Sequence, residues 1–592
     1  MVTADALQQF LLDYKRQLKQ AADSPQYMPP LTEALFAGYE RTGSRLDYET
    51  AYFARRKCLA VLGLQSVVEQ EEDGCVLPTR LNALTTVIED ICGEMCWALP
   101  AHVDSRNDPQ WFVTVDLFAA ETAQTLAELS VRLESQLPPS VCGLIADEVE
   151  RRVFTPFLNT PAPYPDWEGS FNNWNAVCAG AIGSAALNLL QNQPDRLNCC
   201  LERVCASLPS YIRGFAEDGT CLEGATYYTY GMTYFVNFAL ELYAFTTGKT
   251  DLLCGEWGGF PAGQNGVRAN IARFLPKCFF PDGNSVSFAD ATSLETFRVG
   301  QLCALSMRFP GVELPSLHCA AGLHSDPCYR FAALRMDLFC TQQYLNTGLI
   351  WQPDAPEETR SVARFDILPA AQWCVGRSAS GTGFACKGGD NGGSHNHNDI
   401  GHFIYEAGGV MLLTDLGLGE YTRDYYGPRR YEILCAGSQG HSVPIVDGEG
   451  QCAGSQYRCD AFDAREDGTV ELELHSAYRP SLLKRFVRRF EFNLGNGGLW
   501  VRDRLWLSCG SEVLENLITQ VQPELTDGGI LLRSGLVTML LRIALPAQAD
   551  ISVQTYCHRN HQGEPEPVYA IQWAVPAVGD TAESCFFICR IE

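Results

Sequence analysis

Between Trp351 and Arg360 the chain reads WQPDAPEETR, a polar stretch with two prolines that separates two kinds of periodicity. On its N-terminal side apolar residues recur at i, i+3, i+4 and i+7. The segment Ala4–Lys19 sets Leu7, Phe10, Leu11, Tyr14 and Leu18 on one stripe, which is the pattern of an amphipathic helix. Similar segments follow through Cys340, among them Tyr48–Leu64, Thr79–Leu99, Asp116–Leu137, Asn173–Leu190, Tyr227–Thr247 and Leu294–Phe309. Proline and glycine break the pattern at Pro138-Pro139, Pro161–Pro165 and Pro281-Asp282-Gly283. From about Val362 onward the chain changes to short β-rich or alternating runs, such as His402–Tyr405, Val470–His475, Phe486–Phe492, Leu499–Leu507 and Ser584–Ile591. The two halves predict a multidomain α+β protein. An N-terminal α/α toroid, an incomplete barrel of helical hairpins, would occupy residues 1–360. A C-terminal antiparallel β-sandwich would occupy residues 361–592. No repeat is visible in the sequence, so closure of the helical ring is inferred from the number of hairpins alone.

The composition supports folded domains: of 592 residues, 46% are hydrophobic and 19% charged. A formal charge of −26 argues against nucleic acid or an anionic membrane as partner, because both select basic surfaces. No apolar run reaches the ~18 residues of a membrane span. The first residues, MVTADALQQFLLDYKRQLKQ, place Asp5, Asp13 and Lys15 where a secretory signal needs an apolar core, so a cytoplasmic location is expected. The 25 cysteines are then expected as reduced thiols rather than a disulfide framework.

Chemistry concentrates in four places. The stretch GGSHNHNDIGHF holds His395, His397 and His402, and GHSVPIVDGEGQ holds His441; Asp415 lies between them in MLLTDLGLGEY. On an extended chain His395 and His397 would face the same side. Two imidazoles and a carboxylate make a plausible zinc set, although a loop of polar histidines that bind nothing fits the spacing equally well. SFNNWN, Ser170–Asn175, opens a helix rich in small residues; N-capping accounts for one asparagine but not for the rest of the group. In DGTCLEGATYYTY, Glu223, Tyr227 and Tyr230 are spaced i, i+4 and i+7, which is also the spacing of an aromatic core stripe. In PDGNSVSFAD, Asp282 and Asp290 flank a turn.

The order NNW, DG…EGxxYxxY, PDG…D, HNHND, an apolar strand ending in DxG, RRYE and HSVPIVDG…Q resembles the heparinase II/III-like polysaccharide lyases. The resemblance covers Phe171 to Gln451, and it implies a toroid and a β-sandwich with the active site in the cleft between them. It further implies a β-elimination on a uronic-acid-containing oligo- or polysaccharide. The C5 proton is removed, the C4–O bond breaks, and a 4,5-unsaturated sugar is left. Three needs follow: neutralisation of the substrate carboxylate, a base at C5, and an acid for the leaving oxygen. By resemblance Asn173 would hold the carboxylate, with Asn172 and Trp174 shaping the pocket and Glu223, Tyr230 and Arg430 contacting substrate. Tyr227 would be base, acid or both, and His395 would assist it or be the base itself. Of Tyr425, Tyr426 and Tyr431, the last is the first choice to reach the site. His397, Asp415 and His441 match positions that hold a structural zinc ion. The family pattern is broken at Trp174, where some relatives carry a histidine.

Two other readings are carried alongside. A glycoside hydrolase on the same toroid would use paired carboxylates, for instance Glu223 with Asp282 or Asp290. A non-catalytic glycan-binding protein is the second. The window Lys387–His441 has four Lys/Arg against seven Asp/Glu, so an unsulfated or sparsely sulfated substrate is expected. The sequence leaves the oligomeric state open, a homodimer among the options.

Overall fold

A computed structural model describes residues 2–24, 27–348, 363–508 and 512–591. The junction Trp351–Arg360, with the expected boundary at residue 360, lies outside the described residues. The chain forms two compact units. One comprises Met1–Phe215, Tyr227–Arg273 and Thr296–Trp351; the other comprises Ala216–Thr226, Phe274–Glu295 and Gln352–Glu592.

The first unit is helical. Its opening helix Ala4–Asp23 is capped by Thr3, whose side chain accepts from Ala6 N, and buries Leu7, Leu11, Tyr14 and Leu18 as one stripe. It packs against Leu46–Asp73 and also against Phe331–Thr347, so the last long helix of the unit returns to the first. The intervening helices Leu117–Arg132, Asn173–Leu189 and Pro194–Arg213 pack in succession, giving the toroid that the helix count implied. The small residues of Asn173–Leu189 have a steric cause. A Cβ on Gly180 would stand 2.7 Å from the carbonyl oxygen of Tyr234 on the helix Ala225–Phe245, closer than real Cβ contacts allow. The helix expected over Leu294–Phe309 is present only as Val299–Ser306. The preceding residues are held in a turn instead: Ser285 N donates to Ser293 O (2.8 Å) and Ser285 Oγ donates to Thr292 O (2.9 Å).

The second unit is built from antiparallel sheets. A five-stranded sheet runs Arg364–Leu368, Trp373–Arg377, Thr382–Lys387, Phe403–Ala407 and Val410–Leu413, each strand hydrogen-bonded to the next. A nine-stranded sheet has Leu499–Leu507 in its interior, between Leu483–Phe492 and Thr581–Arg590. A four-stranded sheet joins Ile551–Arg559, Pro565–Val575, Val513–Thr519 and the short strand Ile445–Val446. Inward residues interdigitate: Phe384 meets Phe490 and Phe492 at ring-centroid distances of 5.4 and 5.3 Å, and Trp573 meets Phe586 edge-on at 5.4 Å. One charged group is sealed in this core. Arg488 donates to Asp503 and Glu515, and also to the carbonyls of Gly401 (2.9 Å) and Ser442 (2.7 Å), the neighbours of His402 and His441. Two segments from far upstream complete the unit. Asp218 Oδ2 accepts from Ala370 N (2.7 Å) and Ala371 N (3.1 Å), Arg377 Nε donates to Phe279 O (2.7 Å), and Phe288 packs edge-on against Trp373 at 5.0 Å. Every described cysteine is a free thiol, and no described helix is long and apolar enough to cross a membrane.

Candidate functional site

The strands Thr382–Lys387 and Phe403–Ala407 present the HNHND segment as a loop rather than an extended run. His395 sits in the left-handed region at φ 60°, a conformation that costs about 1–3 kcal/mol for a non-glycine residue and persists only where surroundings impose it. Here the imposing group is Asp290. His395 Nδ1 lies 2.7 Å from Asp290 Oδ2, and His397 Nε2 lies 2.9 Å from Asp290 Oδ1. The two histidines therefore converge on one carboxylate, not on one metal. Tyr425 OH (2.5 Å) and Arg430 NH2 (3.0 Å) donate to the same Oδ1. Burial by itself would raise the Asp290 pKa, but the bonds from His395 and His397 and the Arg430 charge outweigh it and hold the carboxyl well below the usual range. A carboxylate that only accepts fixes the proton of His395 on Nδ1 and leaves Nε2 as its basic nitrogen.

Behind this network lies a second cluster. His397, Asp399, Asp415 and His441 are all buried, and one ligand atom from each lies within 4.8 Å of the other three. His441 Nδ1 is 2.9 Å from the carbonyl of Gly437, which accepts its proton, so Nε2 is bare. His397 spends its Nε2 proton on Asp290, so its Nδ1 is bare as well. These two bare nitrogens face each other at 3.3 Å. Lone pairs at that separation repel unless a proton or a metal ion lies between them, and the Asp415 and Asp399 carboxylates favour positive charge there by raising the His441 pKa. Asp399 Oδ2 and Asp415 Oδ2 are buried without a hydrogen-bond partner, and an unpartnered buried carboxylate oxygen is costly. Outer bonds that fix each imidazole, together with acceptors left unpaired inside, are what a tetrahedral cation site requires. The four residues therefore fit a metal ion, and Asp399, whose other oxygen takes a 2.6 Å ion pair from Lys387, joins the three positions expected from sequence. His402 stays outside the set. Its Nδ1 accepts from Ser442 N at 2.8 Å, and burial lowers its pKa to about 3, so it is neutral.

The three tyrosines separate clearly. Tyr425 is buried against Asp290, Tyr426 is half exposed with its ring edge-on to His395 at 6.3 Å, and Tyr431 donates to Asn396 Oδ1 at 3.0 Å. Arg430 turns inward: besides Asp290, it donates to the carbonyls of Asn396 and Tyr425 and lies over the Tyr425 ring. Its charge is committed to holding the loop.

In the helical unit, Asn172 is the N-cap of Asn173–Leu189; its Oδ1 accepts from Trp174 N (3.1 Å) and Ser170 Oγ (2.9 Å). Asn173 is the first helical residue and is buried. Trp174 packs edge-on against His102 at 4.7 Å. His102 Nδ1 lies 2.7 Å from Asp116 Oδ2, so the histidine that packs on Trp174 is held by a carboxylate from a different part of the chain. Tyr227 and Tyr230 are half-buried on Ala225–Phe245. Tyr230 donates to Glu121, with the Arg330 guanidinium 3.9 Å above its ring. Glu223 does not share that helical face. It lies two residues before the helix, beyond Gly224 at φ 99°, and belongs to the sheet unit. Sequence reasoning gave Asp290 and Asp399 no part in the lyase site. The available signals were PDG…D for the first and HNHND itself for the second.

Comparison with known proteins bears on the sheet unit most directly. Residues 363–576 match the family model described as heparinase II/III-like, C-terminal. No curated protein sequence matches the chain. Among solved structures, heparinase III superposes with a TM-score of 0.60 at 11% identity, covering 99% of this chain and 91% of its own. A mutant heparan sulfate lyase from Pedobacter heparinus gives 0.56 at 12% identity, covering 99% and 88%. Xanthan lyase from Paenibacillus gives 0.52 at 9% identity, covering 99% of this chain and 57% of its own. At these identities the likeness is one of fold: helical toroid followed by β-sandwich.

Proposed function

We propose that this protein is a polysaccharide lyase that cleaves uronic-acid-containing oligo- or polysaccharides by β-elimination, releasing a 4,5-unsaturated sugar. The observation that carries this reading is the Asp290 carboxylate, which accepts from His395 Nδ1 at 2.7 Å and so prepares Nε2 as a base. The His395 imidazole takes the C5 proton, and Asp290 stabilises the imidazolium that forms. The electron pair left at C5 becomes the C4–C5 double bond as the C4–O bond breaks. Tyr227 protonates the departing oxygen; a phenol of ordinary pKa ~10 is protonated at neutral pH and suits an acid better than a base. Asn173 holds the substrate carboxylate, lowering the cost of charge that develops on it. Tyr426, whose ring lies against His395, replaces Tyr431 as the tyrosine of the loop that contacts substrate.

The metal proposed for His397, Asp399, Asp415 and His441 is zinc, in a structural role: it would tie the HNHND loop to the loops of Asp415 and His441. The split between metal-binding His397 and proton-moving His395 is chemically sensible, because a metal-bound imidazole nitrogen cannot also carry a proton.

Lys387, Arg429 and Arg430 are paired with carboxylates: Lys387 with Asp399, Arg429 with Glu432, Arg430 with Asp290. That supports an unsulfated or sparsely sulfated substrate. The glycoside-hydrolase reading loses ground at Asp290, because a carboxylate held ionised by four donors cannot serve as a general acid.

The test is incubation with a panel of uronate polymers and oligomers while near-ultraviolet absorbance of the unsaturated product is followed. Rising absorbance, lost in Tyr227→Phe and His395→Ala with the fold intact, is the expected result. New reducing ends without absorbance would replace the lyase with a hydrolase.

A further inference from the structure

The run PDGNSVSFAD ends at Asp290, and the chain continues as ATSLE to Glu295. Every residue from Ser285 to Ala291 is buried. Ala289 takes the left-handed backbone at φ 63°, and Ala291 N donates back to Ala289 O at 2.9 Å, so a tight turn closes around Asp290. Alanine lacks the freedom of glycine at positive φ, so the surroundings hold the turn in this shape.

Two contacts fasten this segment to the start of the helix Ala225–Phe245. Gly224, at φ 99°, lies so close that a Cβ on it would stand 2.8 Å from Phe288 O and 2.9 Å from the Ala291 Cβ. Two residues on, Thr226 Oγ1 donates to Glu295 Oε2 across 69 positions of chain. Glu295 is itself held to the base of the turn, because its N–H donates to Ser285 Oγ at 3.1 Å. Tyr227 follows Thr226 directly. The chain passes from one compact unit to the other at Thr226–Tyr227 and again at Glu295–Thr296, so the Thr226–Glu295 bond ties these two crossings together.

Local structure gives little reason for this bond. Threonine is a weak helix former, and withdrawing the Glu295 carboxylate from water is costly. What the arrangement does achieve is a fixed register between the helix start and the turn. The same turn reaches the Asp415 loop through Ser287 and Ala291.

We propose that Ser285–Glu295 is a positioning element for the elimination, with Thr226 and Glu295 as positioning residues: one stiff segment fixes both the start of the Tyr227 helix and the Asp290 carboxylate that orients His395. The inference rests on the lyase reading above, in which Tyr227 is the acid and His395 the base. Both groups must be in place as the C4–O bond breaks, and a misplacement of about 1 Å can lower a rate by about 100-fold. Asn173, which holds the substrate carboxylate in that reading, is on a different helix. Loosening the Thr226–Glu295 bond therefore moves acid against base and leaves the ground-state contact to substrate alone.

The test is steady-state absorbance of the full chain on a uronate polymer, with hydrogen exchange as a second readout. Thr226→Val and Glu295→Ala should lower kcat by about 10–100-fold with KM unchanged, the signature of an interaction that matters only in the transition state. Thr226→Ser keeps the hydroxyl and Glu295→Gln keeps an acceptor oxygen, so both should retain most of the wild-type kcat. Should Glu295→Ala fail to fold, Thr226→Val carries the test, since it changes one hydroxyl for a methyl. In Thr226→Val, exchange should speed up in the first two turns of Ala225–Phe245 and in the HNHND loop, and nowhere else. Wild-type kcat in Thr226→Val overturns the proposal. So does a loss of kcat that Glu295→Gln shares in full, or one accompanied by faster exchange throughout the sheet unit, which marks a general loss of structure. If the wild-type chain gives no unsaturated product from any uronate polymer, the lyase reading falls and exchange alone decides: faster exchange confined to the two segments keeps the coupling, and wild-type exchange in either removes it.

Discussion

Asp290 gathers four donors onto two oxygens, three of them on Oδ1. It thereby sets the tautomers of both the proposed base and a proposed metal ligand. Asp290→Asn keeps the shape but brings an amide N–H where one imidazole needs an acceptor, so one ring must change tautomer or lose its bond. The expected outcome is a fall in kcat of about 10²–10⁴, as when an orienting carboxylate behind a catalytic histidine is lost. A fall of about 10–100-fold in metal affinity should accompany it. Steady-state absorbance and metal analysis of the dialysed protein measure both, and undiminished kcat in Asp290→Asn would remove this carboxylate from the mechanism. A second residue gives a pH dependence. Burial, reinforced by Asp282, pushes the Glu406 carboxyl up to about 8. The folded state then holds a proton that the unfolded chain, with a carboxyl pKa near 4.3, releases. Stability from this group is complete below the unfolded value and is lost as pH rises toward about 8, by at most ~1.4 kcal/mol per pH unit. Glu406→Gln should flatten that slope in urea unfolding between about pH 5 and 8; an unchanged slope counts against the assignment.

Among elements, the informative contact joins the turn that carries Asp290 to the loop after Asp415. Ser287 Oγ donates to Asp415 O (3.0 Å), and Leu418 N donates to Ala291 O (3.1 Å). Gly417 makes this approach possible. It sits at φ 61°, and a Cβ there would collide with Ala291 O. Gly417→Ala meets both strain and overlap, so a loss of about 1–3 kcal/mol is expected in denaturant unfolding. Metal affinity should weaken with it, because Asp290 and Asp415 lie on either side of the contact. Wild-type stability in this variant would show that the two loops move apart without cost.

For the whole molecule, metal binding should stabilise the sheet unit specifically. Binding to the folded state alone contributes RT ln(1 + [L]/Kd), about 4 kcal/mol at a thousandfold excess over Kd. Calorimetry before and after chelation should show the transition of the sheet unit moving down, with zinc restoring it. His397→Ala should start at the lower position and no longer respond to metal. Full metal content in that variant would refute the ligand set.

The two periodicities around Trp351–Arg360 are local properties of the chain, and they were enough to read a helical half and a sheet half. The same holds for the N-cap at Asn172, the alternation of Leu499–Leu507 and the pairing of His397 with Asp415 and His441, all carried by spacing or by a motif. What spacing could not carry was any partner chosen by tertiary packing. Asp290 reaches His395 across 105 positions. Glu223 leaves the helix face of Tyr227 because Gly224 takes a left-handed turn, and Leu294 leaves its expected helix because Ser285 holds the backbone beside it. His395 and His397, which an extended chain would aim at one target, part at a strained backbone and meet only through a carboxylate from another segment. Short-range patterns fix which elements form, because backbone hydrogen bonding and burial of one face act over a few residues. Which side chains share a site depends on how distant loops are brought together, and only the folded structure decides that.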